Sequence, residues 1–151
     1  MDTQEGRLVG DDAPVLGNLW NIGIKVADIA AEIAFLERIG GRVRLRETLP
    51  GLDGPIEYAM VDLGSTRLML TPTPVYELAL GRPMTPGLAH AVFEVDDHAG
   101  ACATLEAAGA RPLTRPRTIE ASFGRREVAF FESPGGLVFE ALHILEDRLD
   151  R

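Results

Sequence analysis

An internal repeat is the feature of this sequence that most narrows the folds open to it. Residues 21–42 align without a gap with residues 90–111, at an offset of 69 residues. Identical residues stand at these aligned positions: Val26 and Val95, Asp28 and Asp97, Ala30 and Ala99, Ala34 and Ala103, Leu36 and Leu105, Glu37 and Glu106, Gly40 and Gly109, and Arg42 and Arg111. Self-similarity at a fixed spacing indicates that one supersecondary unit is present twice.

Each copy is predicted to begin with a β-strand, because its residues alternate with a period of two. In the first copy this alternation assigns Trp20 to the face that packs against a helix, and Asn21 to the opposite face. In the second copy His90 takes the position of Asn21. The repeat therefore places Asn21 and His90 at equivalent points of two strands.

A helix and further strands are predicted to complete each unit. Asp28 and Asp97 are suited to cap the helices, since a carboxylate accepts hydrogen bonds from the free N–H groups of the first turn, and Gly40 and Gly109 are suited to end them. Strand-like runs follow at 42–47 and 57–72 in the first copy, and at 111–113 and 127–142 in the second. The predicted fold class is α+β, with the order βαβββ occurring twice and the two modules facing a common trough.

Four residues are predicted to face this trough: Asn21 and His90 on the leading strands, and Met69 and Glu140 on the last strands. Glu140 stands among apolar residues in LVFEAL, where a carboxyl group is costly unless it is paired, hydrogen-bonded or bound to a ligand. His90 and Glu140 either act on a ligand or share a hydrogen bond that only stabilises the core. Arg125 and Arg126 border the trough in this arrangement, so that one of them is expected to meet an anionic ligand.

Composition excludes several other classes of function. The net charge is −8 and the arginines form no basic stripe, so no nucleic-acid partner is expected. No apolar run is long enough to span a membrane, and the N-terminal residues are too polar and acidic for a secretory signal. The single cysteine, Cys102, cannot form an internal disulfide bond, which fits the cytoplasm as the expected location.

The sequence predicts one domain with two short extensions. Residues 1–17 are assigned to a loose N-terminal lead-in and residues 146–151 to a C-terminal tail. The domain at 18–145 divides into a first module at 18–72, a proline-rich connector at 73–87 and a second module at 88–145.

Three segments of the chain resemble the vicinal oxygen chelate superfamily, which includes glyoxalase I, bleomycin-resistance proteins, extradiol dioxygenases and methylmalonyl-CoA epimerase. These segments are NIGIKVADIAAEIAFLERIGG, LAHAVFEVDDHAGACATLEAAGARP and FGRREVAFFESPGGLVFEAL. The resemblance implies paired βαβββ modules that form an open barrel of mixed strands with the helices outside, commonly in a dimer. It also implies a divalent metal in the trough, held by residues at the four positions described above.

Two of those four positions match the metal ligands of the superfamily, and two depart from them. His90 and Glu140 match, whereas Asn21 stands where histidine or glutamine is usual, and Met69 where glutamate, glutamine or histidine is usual. Zinc, nickel, iron and manganese prefer at least three imidazole or carboxylate ligands. We therefore expect at most weak binding of such a metal by His90 and Glu140.

Two functions remain open from the sequence. The first is a binder of a small organic ligand that sequesters it, as antibiotic-resistance proteins do, or a metal-independent catalyst in which His90 and Glu140 act. Its ligand-binding residues would be Asn21, Tyr58, Met69, His90, Phe123 and Glu140. The second is a metal-dependent isomerase, lyase of the glyoxalase or epimerase type, or dioxygenase, with Glu47 and Glu57 as further candidate bases. A homodimer is expected in either case, because small modules leave sheet edges that need covering.

Overall fold

A computed structural model describes residues 14–52 and 54–149 of the chain. Its strands are β1 (Leu19–Lys25), β2 (Arg42–Pro50), β3 (Pro55–Leu63), β4 (Thr66–Thr71), β5 (Gly87–Glu94), β6 (Arg111–Pro112), β7 (Arg117–Ala121), β8 (Gly124–Glu132) and β9 (Val138–Asp147). Its helices are α1 (Ile29–Arg38), α2 (Glu77–Leu80) and α3 (His98–Ala107). Most of the predicted lead-in and the last two residues of the predicted tail lie outside the described residues, and the division into modules stays a prediction.

The strands form one mixed sheet in the order β2-β3-β4-β1-β5-β9-β8-β6, with β7 also paired to β8. Strand β1 runs parallel to β4, and β5 runs parallel to β9, as expected when a helix connects the strands of each half. The two halves meet where β1 and β5 pair antiparallel. The predicted α+β class, with two repeated units in one mixed sheet, is confirmed.

The helix signals of the sequence are confirmed in both halves. The carboxylate of Asp28 accepts a hydrogen bond from the Ala31 amide at 3.1 Å, and that of Asp97 accepts one from the Gly100 amide at 3.1 Å. Gly40, which follows α1, has φ = 100°, a backbone conformation that favours glycine.

Each long helix covers the same face of its own half of the sheet. Helix α1 packs Ile29, Ile33 and Leu36 against β3 and β4, and α3 packs Ala101 and Cys102 against β8 and β9. The opposite face of the sheet is left for the trough. None of the helices in the described part of the chain is long and apolar enough to cross a membrane.

The second half departs from the prediction between its helix and its hairpin. One short strand was predicted there, but the structure has two, β6 and β7, which both pair with β8. Pro112 and Pro116 flank the break between them, and proline interrupts a strand because it has no N–H to donate. Strand β7 supplies residues to the trough that the sequence pattern did not indicate.

Side chains link the two ends of the curled sheet. The Ser122 hydroxyl, in the turn between β7 and β8, donates to the Glu47 carboxylate on β2 at 2.6 Å, and the Ser122 amide donates to it at 3.2 Å. The Tyr58 hydroxyl on β3 donates to the same carboxylate. These contacts hold the outer strands of the first half against the outer hairpin of the second.

Candidate functional site

A cavity of about 100 Å³ lies between the two halves of the sheet, on the face opposite α1 and α3. Most of its wall is apolar. All six residues predicted to bind a ligand line it, namely Asn21, Tyr58, Met69, His90, Phe123 and Glu140. The fold thus gathers residues from distant parts of the chain around one hollow, although their roles remain predictions.

Three adjacent strands set the positions of the polar groups on the cavity floor. Asn21 on β1 pairs with Val92 on β5, and Val92 pairs with Glu140 on β9. The backbones of Asn21 and Glu140 are therefore two strands apart, or roughly 9–10 Å. His90 lies two residues from Val92 along β5, so that it projects to the same side of the sheet. The three polar side chains surround Val92.

The imidazole of His90 is held between Tyr76 and Gly23. The Tyr76 hydroxyl and His90 Nδ1 are 2.9 Å apart and share a hydrogen bond. A Cβ added to Gly23 would lie 2.1 Å from Cε1 of the ring and 2.4–2.5 Å from its two nitrogens, which shows how closely the ring packs on the β1 backbone. Nε2 is buried and has no hydrogen-bond partner within residues 14–52 and 54–149.

Burial keeps His90 neutral. Only 5% of the residue is exposed, and desolvation lowers the pKa of the imidazole to about 3, because a charged ring would lose its hydration there. The expected alternative, a core hydrogen bond between His90 and Glu140, is wrong, since the partner of His90 is Tyr76. His90 therefore contributes the face of a neutral ring to the cavity wall, with Nδ1 engaged and Nε2 covered.

Glu140 is the carboxyl group of the cavity. It is partly buried by surface area, as a side chain that lines a hollow must be, and the protein around it desolvates the carboxylate. This desolvation raises the pKa of Glu140 to about 8, while the positive charges of Arg117 and Arg126 oppose the shift. No hydrogen bond or ion pair to this carboxyl group occurs in the described part of the chain.

Asn21 adds a third polar group without a partner, two strands away from Glu140 across the cavity floor. It is 4% exposed, and its amide nitrogen Nδ2 has no hydrogen-bond partner among the described residues. Buried polar atoms without partners are rare, and each one calls for an explanation such as a bound molecule. Asn21 and Glu140 are thus two polar groups without partners in a mostly apolar wall.

The expectation that Trp20 lies on the face of the sheet that packs against a helix is wrong. Trp20 lines the cavity, because the pairing of β1 with β5 is irregular at this point: Leu19 pairs with Phe93 and Asn21 with the next residue, Val92. Trp20 is the extra residue of this bulge, and a bulge breaks the alternation of side chains. Strict period-two reasoning therefore put Trp20 on the wrong face.

Arg126 supports the aromatic wall of the cavity. Its guanidinium group lies 5.4 Å from the centre of the Trp20 ring and 5.0 Å from that of Phe123, within range of cation–π attraction. The same group donates to the Phe123 carbonyl at 2.8 Å and is paired with Asp147 at 3.4 Å. Of the two arginines expected to border the trough, Arg126 lines the cavity, whereas Arg125 is exposed.

Arg117 is a cavity residue that the sequence did not indicate. It lies on β7, where it pairs with Val128 of β8, and both residues face the cavity. The sequence signal that could have revealed it is the alternation of Ile119 and Ala121 with the polar Thr118 and Glu120, which matches the half-buried and exposed positions of β7. The prolines before this short strand hid it.

The two further candidate bases lie outside the cavity. Neither Glu47 nor Glu57 lines it. The carboxylate of Glu47 accepts hydrogen bonds from Tyr58 and Ser122, and these bonds lower the pKa of Glu47 although partial burial alone would raise it. Glu57 forms an exposed ion pair with Arg46 at 3.0 Å. Both glutamates therefore belong to the outer framework of the half-barrel.

The donor atoms at the floor do not fit a divalent metal. Among the residues that the structure describes, no three His, Cys, Asp or Glu side chains are grouped so that they could hold one. His90 is the only imidazole and Glu140 the only carboxyl group among the described cavity residues, and Tyr76 already occupies Nδ1 of His90. An amide and a thioether, from Asn21 and Met69, do not make up for the missing imidazole or carboxylate.

This fold and sequence were compared with known protein families and known proteins. A family model described as Glyoxalase/Bleomycin resistance protein/Dioxygenase superfamily matches residues 19–141. No curated protein matches the chain significantly.

Solved structures with the same fold include a hypothetical protein from Bacillus halodurans C-125, with 18% identity, a TM-score of 0.66 and coverage of 86% of this chain and 96% of that one. They also include methylmalonyl-CoA epimerase from Mycobacterium tuberculosis, with 19% identity, a TM-score of 0.64 and coverage of 87% and 91%. A variant of the Streptomyces coelicolor epimerase in complex with 2-nitronate-propionyl-CoA has 21% identity, a TM-score of 0.68 and coverage of 87% and 99%. At these identities the likeness concerns the fold.

Proposed function

The chain belongs to the Glyoxalase/Bleomycin resistance protein/Dioxygenase superfamily, and from this premise we propose that it binds a small organic molecule in its cavity without a divalent metal. The observation that carries the proposal is the state of the cavity floor. The Glu140 carboxyl group faces an apolar hollow without a hydrogen-bond partner in the described part of the chain, beside the unsatisfied amide of Asn21. Such groups are costly unless a bound molecule satisfies them.

The size and wall of the cavity support an organic ligand rather than a trapped water. One enclosed water needs about 10–15 Å³, whereas an apolar cavity of about 150 Å³ can take benzene. The volume here, about 100 Å³ with an opening to the outside, is close to that of a single ring. Tyr58, Phe123 and Trp20 offer aromatic surface against which such a ring can pack.

A metal-independent catalyst is the second candidate within the same proposal. Glu140 favours it, because a carboxyl group that touches the ligand and has a pKa near neutrality can accept or return a proton. Tyr76 and Gly23 would hold the imidazole of His90 in place. His90 would then shape the cavity floor and would not transfer protons. A metal-dependent isomerase, lyase or dioxygenase is the function that the donor set supports least.

Metal analysis of protein purified without an affinity tag tests the metal-independent part of the proposal. Because the described cavity residues include one carboxyl group and one imidazole, fewer than the three ligands that such a metal prefers, we expect less than about 0.1 equivalent of zinc, nickel, iron or manganese per chain. Near-stoichiometric metal that disappears in a His90→Ala variant would overturn this and favour the metal-dependent enzyme.

Ligand binding is measured most directly through Trp20, which is the single tryptophan of the chain and lies in the cavity wall. We use benzoate and benzamide as probes, since they share one shape and differ in charge. For fragments of this size we expect a dissociation constant on the order of 1 mM, or about −4 kcal/mol. If neither probe changes the fluorescence of Trp20 or the melting temperature, the proposed function is wrong.

We also propose that the protein forms a homodimer and is located in the cytoplasm. Strand β2 ends the sheet on one side, with no neighbouring strand in the described part of the chain, and such edges favour association. Light scattering at micromolar concentration should give twice the mass of one chain. The mass of a single chain would contradict the dimer and leave the ligand-binding proposal untouched.

A further inference from the structure

We infer that the ligand of this cavity carries a carboxylate and that the Arg117 guanidinium group binds it. The inference rests on the proposed function, because it names the class of molecule that the cavity takes. It goes beyond that function by assigning a specificity-determining role to Arg117.

The pairing of β7 with β8 directs Arg117 toward the cavity. Arg117 pairs with Val128, and Ile119 pairs with Arg126; all four residues line the cavity. No hydrogen bond or ion pair to the Arg117 guanidinium group is found within residues 14–52 and 54–149. Arg117 is therefore a half-buried cation whose donors remain available at the cavity.

The other charged groups of the cavity do not satisfy Arg117. Arg126 is engaged with the Phe123 and Glu146 carbonyls and with Asp147, so that its donors and charge are already used. Glu140 faces the same hollow and interacts with Arg117 through space, but the two form no ion pair. Arg117, Arg126 and Glu140 are the only Arg, Lys, Asp or Glu residues that line the described cavity. The lining thus carries more cations than carboxyl groups, in a protein of net charge −8.

A guanidinium group in such a place matches a carboxylate better than other partners. Its planar set of N–H donors pairs with the two oxygens of a carboxylate in a bidentate geometry, and these charge-assisted bonds strengthen where water is excluded. A phosphate dianion would need more than one free cation, and Arg117 is the one that the described cavity offers. The aromatic wall then holds the apolar body of the ligand. The predicted class is a small aromatic or branched aliphatic monocarboxylate.

The test compares benzoate with benzamide in the wild type, in Arg117→Gln and in Arg115→Gln. Arg115 is an exposed arginine two residues away that does not line the cavity, so that its variant is a matched control for net charge. We expect benzoate to bind the wild type about tenfold more tightly than benzamide, as one charge-assisted hydrogen bond implies. Arg117→Gln should remove this preference while benzamide affinity stays within about twofold, and Arg115→Gln should change neither. Unchanged benzamide binding also shows that the variant is folded.

A Glu140→Gln variant separates the role of Arg117 from that of its neighbour. Because glutamine is neutral at every pH, the benzoate preference should persist in this variant if Arg117 provides it. Equal affinity of the wild type for both probes would refute the carboxylate inference while the proposed function stood. A benzoate preference that survived Arg117→Gln would refute the assignment of Arg117. Failure of both probes to bind would refute the proposed function, and the inference with it.

Discussion

Replacing Gly23 by alanine should disturb the position of His90 more than any other change of one methyl group in the cavity floor. Gly23 on β1 lies directly opposite His90 on β5, and the imidazole occupies the space that a side chain would need. The added Cβ would lie 2.5 Å from Nε2, a separation that requires the ring or the strand to move. The hydrogen bond between Nδ1 and the Tyr76 hydroxyl holds the ring, so that it has little freedom to yield.

The expected cost follows from overpacking of a filled site. Inserting a methyl group into a well-packed core costs about 1–3 kcal/mol in the free energy of unfolding. In a His90→Ala background the space is empty, and alanine should then stabilise the strand by about 0.4–1 kcal/mol, because it restricts the unfolded chain more than glycine does. Gly23 has no positive φ, so alanine fits the backbone conformation. Gly23→Ala should therefore lower the free energy of unfolding in the wild type and raise it in the His90→Ala background.

Urea unfolding of the wild type, Gly23→Ala, His90→Ala and the double variant measures this as a double-mutant cycle. The expected coupling is about 1.5–4 kcal/mol, well above the few tenths typical of residues that do not touch. Gly135→Ala is the control, because a Cβ there meets nothing within 4 Å, and its effect, at most a stabilisation of about 0.4–1 kcal/mol, should be the same with and without the imidazole. If Gly23→Ala cost the same with and without the imidazole, the packing described for His90 would be wrong.

The remaining predictions concern pH and the closure of the sheet. Glu140→Gln should match the wild type in stability near pH 4 and exceed it progressively from pH 4.5 to about 8, because the raised pKa of Glu140 means that the unfolded chain ionises first. At about 1.4 kcal/mol per pH unit the gain in the free energy of unfolding is at most about 5 kcal/mol. A difference between the two proteins that stays constant over this pH range in urea unfolding would contradict the raised pKa. The pKa of His90 is lowered to about 3, so its ring signals in NMR should not titrate between about pH 8 and 5. The contribution of His90 to stability should fall as the pH drops below about 6.5, because the imidazole of the unfolded chain takes up a proton there. An NMR titration midpoint near 6.5 would contradict the burial of this ring. Ser122→Ala should lower the free energy of unfolding by about 1 kcal/mol by removing the 2.6 Å hydrogen bond to Glu47, and no loss would mean that this contact does not hold the sheet ends together.

The sequence pattern was most informative where a residue's role depends on its own segment. The repeat predicted two equivalent units, and the capping carboxylates Asp28 and Asp97 and the glycine after α1 were confirmed, since each acts within one turn of helix. The equivalence of Asn21 and His90, together with the isolated Glu140 in an apolar strand, was enough to gather the floor of the cavity. Period-two alternation is reliable for such positions because neighbouring side chains of a strand must point to opposite faces.

The sequence pattern did not predict the position or role of residues that depend on a local irregularity of a strand or on a contact with a distant segment. A bulge moved Trp20 to the cavity face, and two prolines concealed the strand that carries Arg117. A bulge leaves no periodic signal because it adds one residue to a strand, and the alternation in β7 covers only five residues. Glu47 looked like a candidate base in sequence, yet Ser122, far away along the chain, engages it.

The sequence by itself determined the architecture of this protein: a duplicated unit, helices on one face of the sheet, and polar residues at matching points on the other. These properties follow from periodicity and capping, which act between residues close together in the chain. Only the tertiary structure decided what the polar groups can do, because burial and partnership depend on segments that meet in space. It bonded Nδ1 of His90 to Tyr76 and buried Nε2, left Glu140 without a hydrogen-bond partner in the described chain, and set Arg117 near it at the cavity.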